Sequence, residues 1–341
     1  MRHRTRSTTL RTTWRYVACG AFVAGVWLWP QPSPGSATRA DEASLAMAAA
    51  TPRRLYANPV IDRDFPDPDI LDAGGTYYAF GTNAAGLNVQ VARSLDLVSW
   101  TGAGDALPVL PAWARAGRTW APDVSETMNG FVLYFTAQHA ASGRQCIGVA
   151  TSASPGGPFL AASAPLVCQL ELGGSIDPAS FVDADGTRYL AWKNDGNCCA
   201  LPTRIFAQRL SPNGLALEGA PTVLLGADRE WEGGIVEAPT LWRAGGRYYL
   251  FYSANGYAGA RYAIGYAVAD RVLGPYRKGD DRVLATTGGL IGPGGQDVLV
   301  ATDGSTWLAY HSWDVSHRYR RLNLEPLLWR DGVPFTPATV D

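Results

Sequence analysis

The sequence is poor in charge. Of its 341 residues only 17% are Asp, Glu, Lys or Arg, against about 25% in an average globular chain, and 29 basic and 30 acidic residues leave a net charge of −1. That balance excludes the basic face that nucleic acid or an acidic membrane surface requires. Capped segments of helix length with apolar residues at 3.6 spacing are also missing, which excludes helical and α/β folds. Cysteine is scarce, five in all, with no Cys-x-x-Cys pair, so the ligand count of a zinc site is not met. The long uncharged apolar run at residues 16–29 is short of the roughly 20 residues a spanning helix needs.

That run has a recognisable setting. Arg2, Arg4, Arg6, Arg11 and Arg15 precede it and Pro30-Gln31-Pro32-Ser33-Pro34-Gly35-Ser36-Ala37 follows, the order of a secretory signal over residues 1–37, with an uncleaved anchor as the alternative. Cys19 stands at the start of the run rather than after it, which disfavours lipid attachment. Residues 38–54, rich in Ala, Thr, Arg and Ser, read as a disordered lead-in to one domain over residues 55–341. The expected product is a secreted, extracellular monomer with no stable membrane association. In an oxidising setting Cys146, Cys168, Cys198 and Cys199 are expected as disulfides, and of the three pairings Cys146 with Cys168 and Cys198 with Cys199 is preferred.

What the sequence does contain is one unit written five times. Asp-Pro-Asp-Ile at Pro68, Ala-Pro-Asp-Val at Pro122, Asp-Pro-Ala-Ser at Pro178, Ala-Pro-Thr-Leu at Pro239 and Gln-Asp-Val-Leu at Gln296 recur at intervals of 54, 56, 61 and 57. Each is followed by a glycine turn and an aromatic, β-rich run, such as Gly75 before Tyr77-Tyr78-Ala79-Phe80 and Gly246 before Tyr248-Tyr249-Leu250-Phe251. A third run and another turn complete each copy. Short strand, glycine turn and aromatic strand spell a hairpin. Five antiparallel four-stranded units at a near-constant period predict an all-β, five-bladed β-propeller in a single domain. Proline after Asp67 biases that residue toward an extended backbone at a strand entrance.

In a propeller, equivalent strand entrances converge on the central channel. They bring Asp67, Asp177 and Glu237 together from units one, three and four. Like charges and partial burial push the pKa values of such carboxylates apart, so that one keeps its proton while another acts as base. Two carboxylates across a sugar-sized pocket are the apparatus of glycoside hydrolysis. Turn carboxylates that satisfy exposed amides are the plainer alternative.

Asn58-Pro59-Val60 leading to Phe65-Pro66-Asp67-Pro68-Asp69-Ile70, with Trp120-Ala121-Pro122-Asp123-Val124, Ser175-Ile176-Asp177-Pro178-Ala179-Ser180-Phe181, Glu237-Ala238-Pro239-Thr240-Leu241 and Tyr310-His311-Ser312-Trp313, resembles glycoside hydrolase family 43 over nearly the whole mature chain. The resemblance implies an inverting glycosidase in which Asp67 is the general base, Glu237 the general acid, and Asp177 the group that raises and orients Glu237. No cofactor is required on this reading. Relatives place a histidine in the fifth inner strand that helps bind a central calcium; here the stretch is Gly292-Pro293-Gly294-Gly295-Gln296-Asp297, so the metal assignment stays unknown. Phe65, Trp120, Asp123, Gln296 and His311 are the expected substrate contacts, Phe65 and Trp120 by stacking on a sugar face.

The implied substrates are arabinan, arabinoxylan or arabino-oligosaccharides, because the fifth unit from His311-Ser312-Trp313-Asp314 to Asp331-Gly332-Val333-Pro334 looks more like arabinanase-type relatives. β-Xylosidase action within the same family is the first alternative, and a sugar-binding propeller without catalysis the second.

Overall fold

The computed structural model describes residues 57–339, so the signal and lead-in expected at residues 1–37 and 38–54 lie outside the described residues. Strands dominate, and the helical pieces among the described residues are 3-10 turns of three or four residues. Four sheets have four antiparallel strands each: Asp69–Ala73 to Thr101–Asp105, Ala114–Thr127 to Leu160–Ala161, Ser175–Val182 to Leu217–Gly226, and Val236–Ala244 to Arg277–Lys278. A fifth begins with Ile291–Val300. These are the five blades of a propeller, as the repeat predicts.

Each aromatic run forms the second strand of a blade, and its alternation explains why almost every residue in it is apolar. In Gly130–His139, Leu133 and Phe135 join a cluster with Phe80 and Val91 of blade one, while Val132 and Tyr134 join another with Leu190 and Trp192 of blade three. In Arg247–Ala254, Leu250 and Tyr252 face blade three and Tyr249 and Phe251 face blade five. Neighbouring side chains point to opposite faces of a strand, so a blade buried on both faces needs a continuous apolar run. Among the described residues the core is thus five clusters, each between adjacent blades.

Blade five departs from the four-stranded expectation. It has three strands, Ile291–Val300, Thr306–Trp313 and Arg320–Pro326, with a separate hairpin of Leu328–Arg330 and Val333–Phe335. The position beside Arg320–Pro326 is taken by the segment ahead of blade one. Val60 donates its amide to the Leu322 carbonyl at 2.9 Å, Ile61 forms an antiparallel bridge with Leu322, and the Asn58 side chain brackets the Leu324 backbone through bonds of 2.8 and 3.0 Å. This contact closes the ring. Both expected disulfides form, Cys146–Cys168 and Cys198–Cys199.

The inner strands share a second device. In blades two to five two residues oppose one on the partner strand: Ala121-Pro122 face Phe135, Asp177-Pro178 face Trp192, Ala238-Pro239 face Tyr252 and Gly295-Gln296 face Tyr310. Asp67-Pro68 occupy the matching place in blade one, just ahead of Asp69–Ala73. The first member of every pair has positive φ: 53° at Asp67, 42° at Ala121, 54° at Asp177, 48° at Ala238 and 56° at Gly295. Asp67 is therefore left-handed rather than extended. A bulge leaves residues unpaired, so proline's missing N–H costs nothing there, and the bulge geometry overrides the local preference of a residue before proline.

Two residues after the left-handed position, carboxylates stitch blades together. Asp297 accepts from the Ile70 amide at 3.0 Å, Asp69 from Val124 at 2.9 Å, and Asp123 from Ser180 at 2.9 Å. Burial and then the charges of Asp123 and Asp297 push Asp69 well above the carboxylate range; burial lifts Asp123 to about 6, and burial lifts Asp297 to about 7, with Asp123 adding to it. Between the unfolded value and these folded values the native state holds protons that the unfolded chain has released, so the stability these three groups contribute is fully present below the unfolded carboxylate value and is lost as pH rises through the folded values. The midpoint of thermal unfolding should therefore drop between pH 4 and pH 7, and Asp123→Asn, which keeps the acceptor for Ser180, should flatten that slope. An equally steep slope in the variant would remove Asp123 from the cause.

Candidate active site

All five blades contribute to one cavity of about 360 Å³, at the lower end of the roughly 300–1,000 Å³ typical of small-molecule sites. Its lining includes Asp67, Asp177 and Glu237 together with Trp120, Asp123 and Gln296. The bulges put them there. A left-handed kink at the channel end of each inner strand turns the Asp67 and Asp177 side chains out of the blade, and Glu237 stands immediately before the kinked Ala238.

Asp67 is fixed from three sides. Thr82 donates its hydroxyl to Oδ2 at 2.6 Å, Arg320 donates to Oδ1 at 3.2 Å, and His311 Nδ1 lies 3.2 Å from Oδ1. Burial alone would raise this carboxyl, but the Arg320 guanidinium and the His311 bond outweigh it and hold Asp67 far below the usual carboxylate range. Asp67 is ionised at any working pH. The same Thr82 hydroxyl accepts from the Ala121 amide at 2.9 Å, which couples the Asp67 position to blade two.

Across the cavity the arrangement reverses. Asp177 accepts from the Ala238 amide at 2.9 Å, yet burial and the neighbouring Glu237 charge lift it to about 7. Glu237 has both oxygens engaged: Tyr262 donates its hydroxyl to Oε1 at 2.8 Å and Lys193 its ammonium to Oε2 at 2.7 Å. Lys193 is 0% exposed. Burial would lower it, but the charges of Glu237 and Asp177 outweigh that and keep it cationic. The site thus carries a permanent anion, Asp67, on one wall and on the other a carboxyl, Asp177, that burial and the Glu237 charge keep protonated up to about pH 7.

A stack of rings joins the walls. Tyr262 lies on His311 with centroids 5.8 Å apart and planes 12° apart. Space for it comes from two glycines in blade five. A Cβ on Gly294 would lie 2.0 Å from the Tyr262 ring, and one on Gly295 would lie 2.5 Å from His311 Nδ1 and 2.7 Å from Asp67 Oδ1. Glycine stands in that stretch because the rings and the carboxylate fill the volume any side chain would need. Among the described residues no group of three or more His, Cys, Asp or Glu side chains is placed to hold a metal ion directly.

Several expected contacts change role. Phe65 is 0% exposed, packed under Gly81 with the Arg63 guanidinium over its ring, and so cannot stack on a sugar. His311, also 0% exposed, sits beneath Asp67 and away from the cavity lining. Gln296 lines the cavity, but its carbonyl accepts from Ser253 at 2.7 Å and its NH₂ group donates to the Ala238 carbonyl, so both ends of the amide are committed to the frame. Trp120 and Asp123 remain at the cavity surface. Lys193, Tyr262 and Arg320 were not foreseen. Lys193 had a visible signal, a lone charge closing the apolar strand Tyr189-Leu190-Ala191-Trp192, whereas Tyr262 and Arg320 had none.

Comparison with known proteins fits this geometry. The chain is 27% identical over 290 residues to an extracellular endo-α-(1→5)-L-arabinanase of Bacillus subtilis, covering 79% of this chain and 86% of that protein. It is 29% identical over 271 residues to a β-xylosidase of the same organism, 74% of this chain but only 49% of that longer protein. Among solved structures, a thermostable family-43 glycoside hydrolase superposes with a TM-score of 0.75 at 32% identity, covering 83% of this chain and 96% of that one. Residues 56–334 match Glycosyl hydrolases family 43, and the chain belongs to that family of inverting O-glycosyl hydrolases.

Proposed function

We propose that this protein is a secreted hydrolase of arabinose-containing plant polysaccharide, an α-L-arabinofuranosidase or arabinanase. The observation that carries the chemistry is the contrast between Asp67, held ionised by Arg320, and Asp177 beside Glu237 on the opposite wall, which burial and the Glu237 charge lift to about 7. An ionised carboxylate can take a proton from water but has none to give; a carboxylic acid on the facing wall can supply one. Asp67 is the base that activates the water, and Glu237 passes the proton to the leaving oxygen. Asp177 anchors the Ala238 amide beside Glu237 and so orients the acid.

Inversion needs the base and the acid about 6.5–9.5 Å apart, so that water fits beneath the sugar, and carboxylates on different blades across a channel suit that spacing. The resemblance of the fifth unit to arabinanases and the similarity to an extracellular arabinanase support the arabinose reading and export. β-Xyloside cleavage is the second reading, supported by the similarity to the Bacillus β-xylosidase.

A panel of arabinan, arabinoxylan and xylo-oligosaccharides with product sizing decides between them; release of xylose alone would overturn the arabinose assignment. Proton NMR of the first product should show the inverted anomer. Asp67→Asn and Glu237→Gln should each lower kcat by about a hundredfold or more, with near-native unfolding midpoints, and near-normal turnover in either variant would overturn its role. Asp177 titrates at about 7 in the folded protein, so Asp177→Asn, which removes that ionisation, should alter the limb of the kcat/KM profile near neutral pH; an unchanged profile would remove Asp177 from the site chemistry. Gly295→Ala should cost most of the turnover by displacing His311 and Asp67, whereas Gly245→Ala, in a turn where nothing lies near the new methyl, should keep it.

A further inference from the structure

The catalytic reading leaves one feature of the cavity without a task. Gly196–Cys199 is a 3-10 turn after the second strand of blade three, closed by the Cys198–Cys199 bond between adjacent residues. Cys198 and Asn197 are exposed, and both line the cavity. The turn is rigidly seated. The Asn194 side chain donates to the Leu172 and Pro202 carbonyls and accepts from the Arg204 amide, and a Cβ on Gly196 would lie 2.7 Å from the Pro202 oxygen. From blade two, Arg144 reaches across to donate to both sulfurs.

The turn is also wired to the acid. Asn197 Oδ1 accepts from Lys193 Nζ at 2.7 Å, and the same ammonium holds Glu237 Oε2. That leaves the Asn197 NH₂ group, which has no partner among the described residues, at the cavity surface. In an inverting displacement water arrives from the side of the base and the leaving oxygen departs on the side of the acid. Whatever is attached to the leaving oxygen must therefore lie over the Glu237 wall, where Cys198 and Asn197 are.

We propose that the Asn197-Cys198-Cys199 turn, held from behind by Arg144, is the subsite for the sugar unit attached to the leaving oxygen. The disulfide offers a polarisable, uncharged face to the ring, and the Asn197 amide offers donors to its hydroxyls. A neutral sugar is the ligand this combination takes. The assignment rests on Glu237 being the acid, as proposed above.

The test compares substrates with and without a sugar on that side. The ratio of kcat/KM for arabino-oligosaccharide to kcat/KM for 4-nitrophenyl α-L-arabinofuranoside should fall about tenfold in Asn197→Ala and in the double variant Cys198→Ser/Cys199→Ser, the size expected for one lost contact. Calorimetry in the Glu237→Gln background should show oligosaccharide affinity falling by a similar factor. An unchanged ratio with unchanged affinity would overturn the subsite. A fall in Asn197→Ala alone would overturn the part given to the disulfide. If the double variant does not fold, Asn197→Ala, a change to an exposed side chain, decides. Should the wild type cleave neither arabinoside, it is the arabinose reading that fails, and the same ratio measured on xylo-oligosaccharide and 4-nitrophenyl β-D-xyloside tests the subsite independently.

Discussion

Everything at the centre of this molecule depends on a backbone defect repeated five times. An inner strand that kept its ladder to the end would point alternate side chains into the two blade faces and none squarely into the channel. The two-residue bulge, with its first member at positive φ, breaks that alternation at one height in every blade. A left-handed non-glycine residue costs of order 1 kcal/mol, and four of the five positions accept it. The fifth is Gly295, where the determining factor is space for His311 and Asp67 rather than backbone freedom.

The electrostatics follow from what each bulge faces. Asp67 and Asp177 occupy equivalent positions and are both half-buried, yet they titrate in opposite directions. Arg320 and His311 come from blade five to Asp67, while Asp177 looks toward Glu237. Position in the repeat supplies the carboxylate, and the neighbouring blade decides whether it keeps its proton. Lys193 belongs to the same logic: a cation fully buried between carboxylates offsets part of their mutual repulsion, and its bond to Asn197 ties the acid to the cavity rim.

Much of this could be read from the chain before folding. The Pro68, Pro122, Pro178 and Pro239 spacing and the glycine-aromatic runs specify blades and their number, because they depend on local chemistry and period, and the cysteine placement favours the observed pairing among three. What escaped was set by contacts between blades. Phe65 reads as an exposed ring because it borders a channel entrance, and nothing local reveals that Gly81 opens a slot for it. The extended backbone expected for Asp67 follows the proline rule correctly for an isolated dipeptide, and fails because a bulge sits there. Arg320 and Tyr262 carry no periodic mark; their roles arise only when blades four and five stand against blade one.

The closure of the ring bears on how the chain reaches this state. Blades are hairpins whose partners are near in sequence, and each can form early at little loop-closure cost. Asn58 and Leu324, by contrast, are 266 residues apart. Their pairing raises the contact order of the molecule sharply and must await a finished blade five, since the edge it covers belongs to Arg320–Pro326. Until then that edge strand is an open template for pairing with another chain. The segment at Asn58, Val60 and Ile61 is therefore a latch as well as a strand: it covers the edge of blade five that would otherwise stand open to another chain.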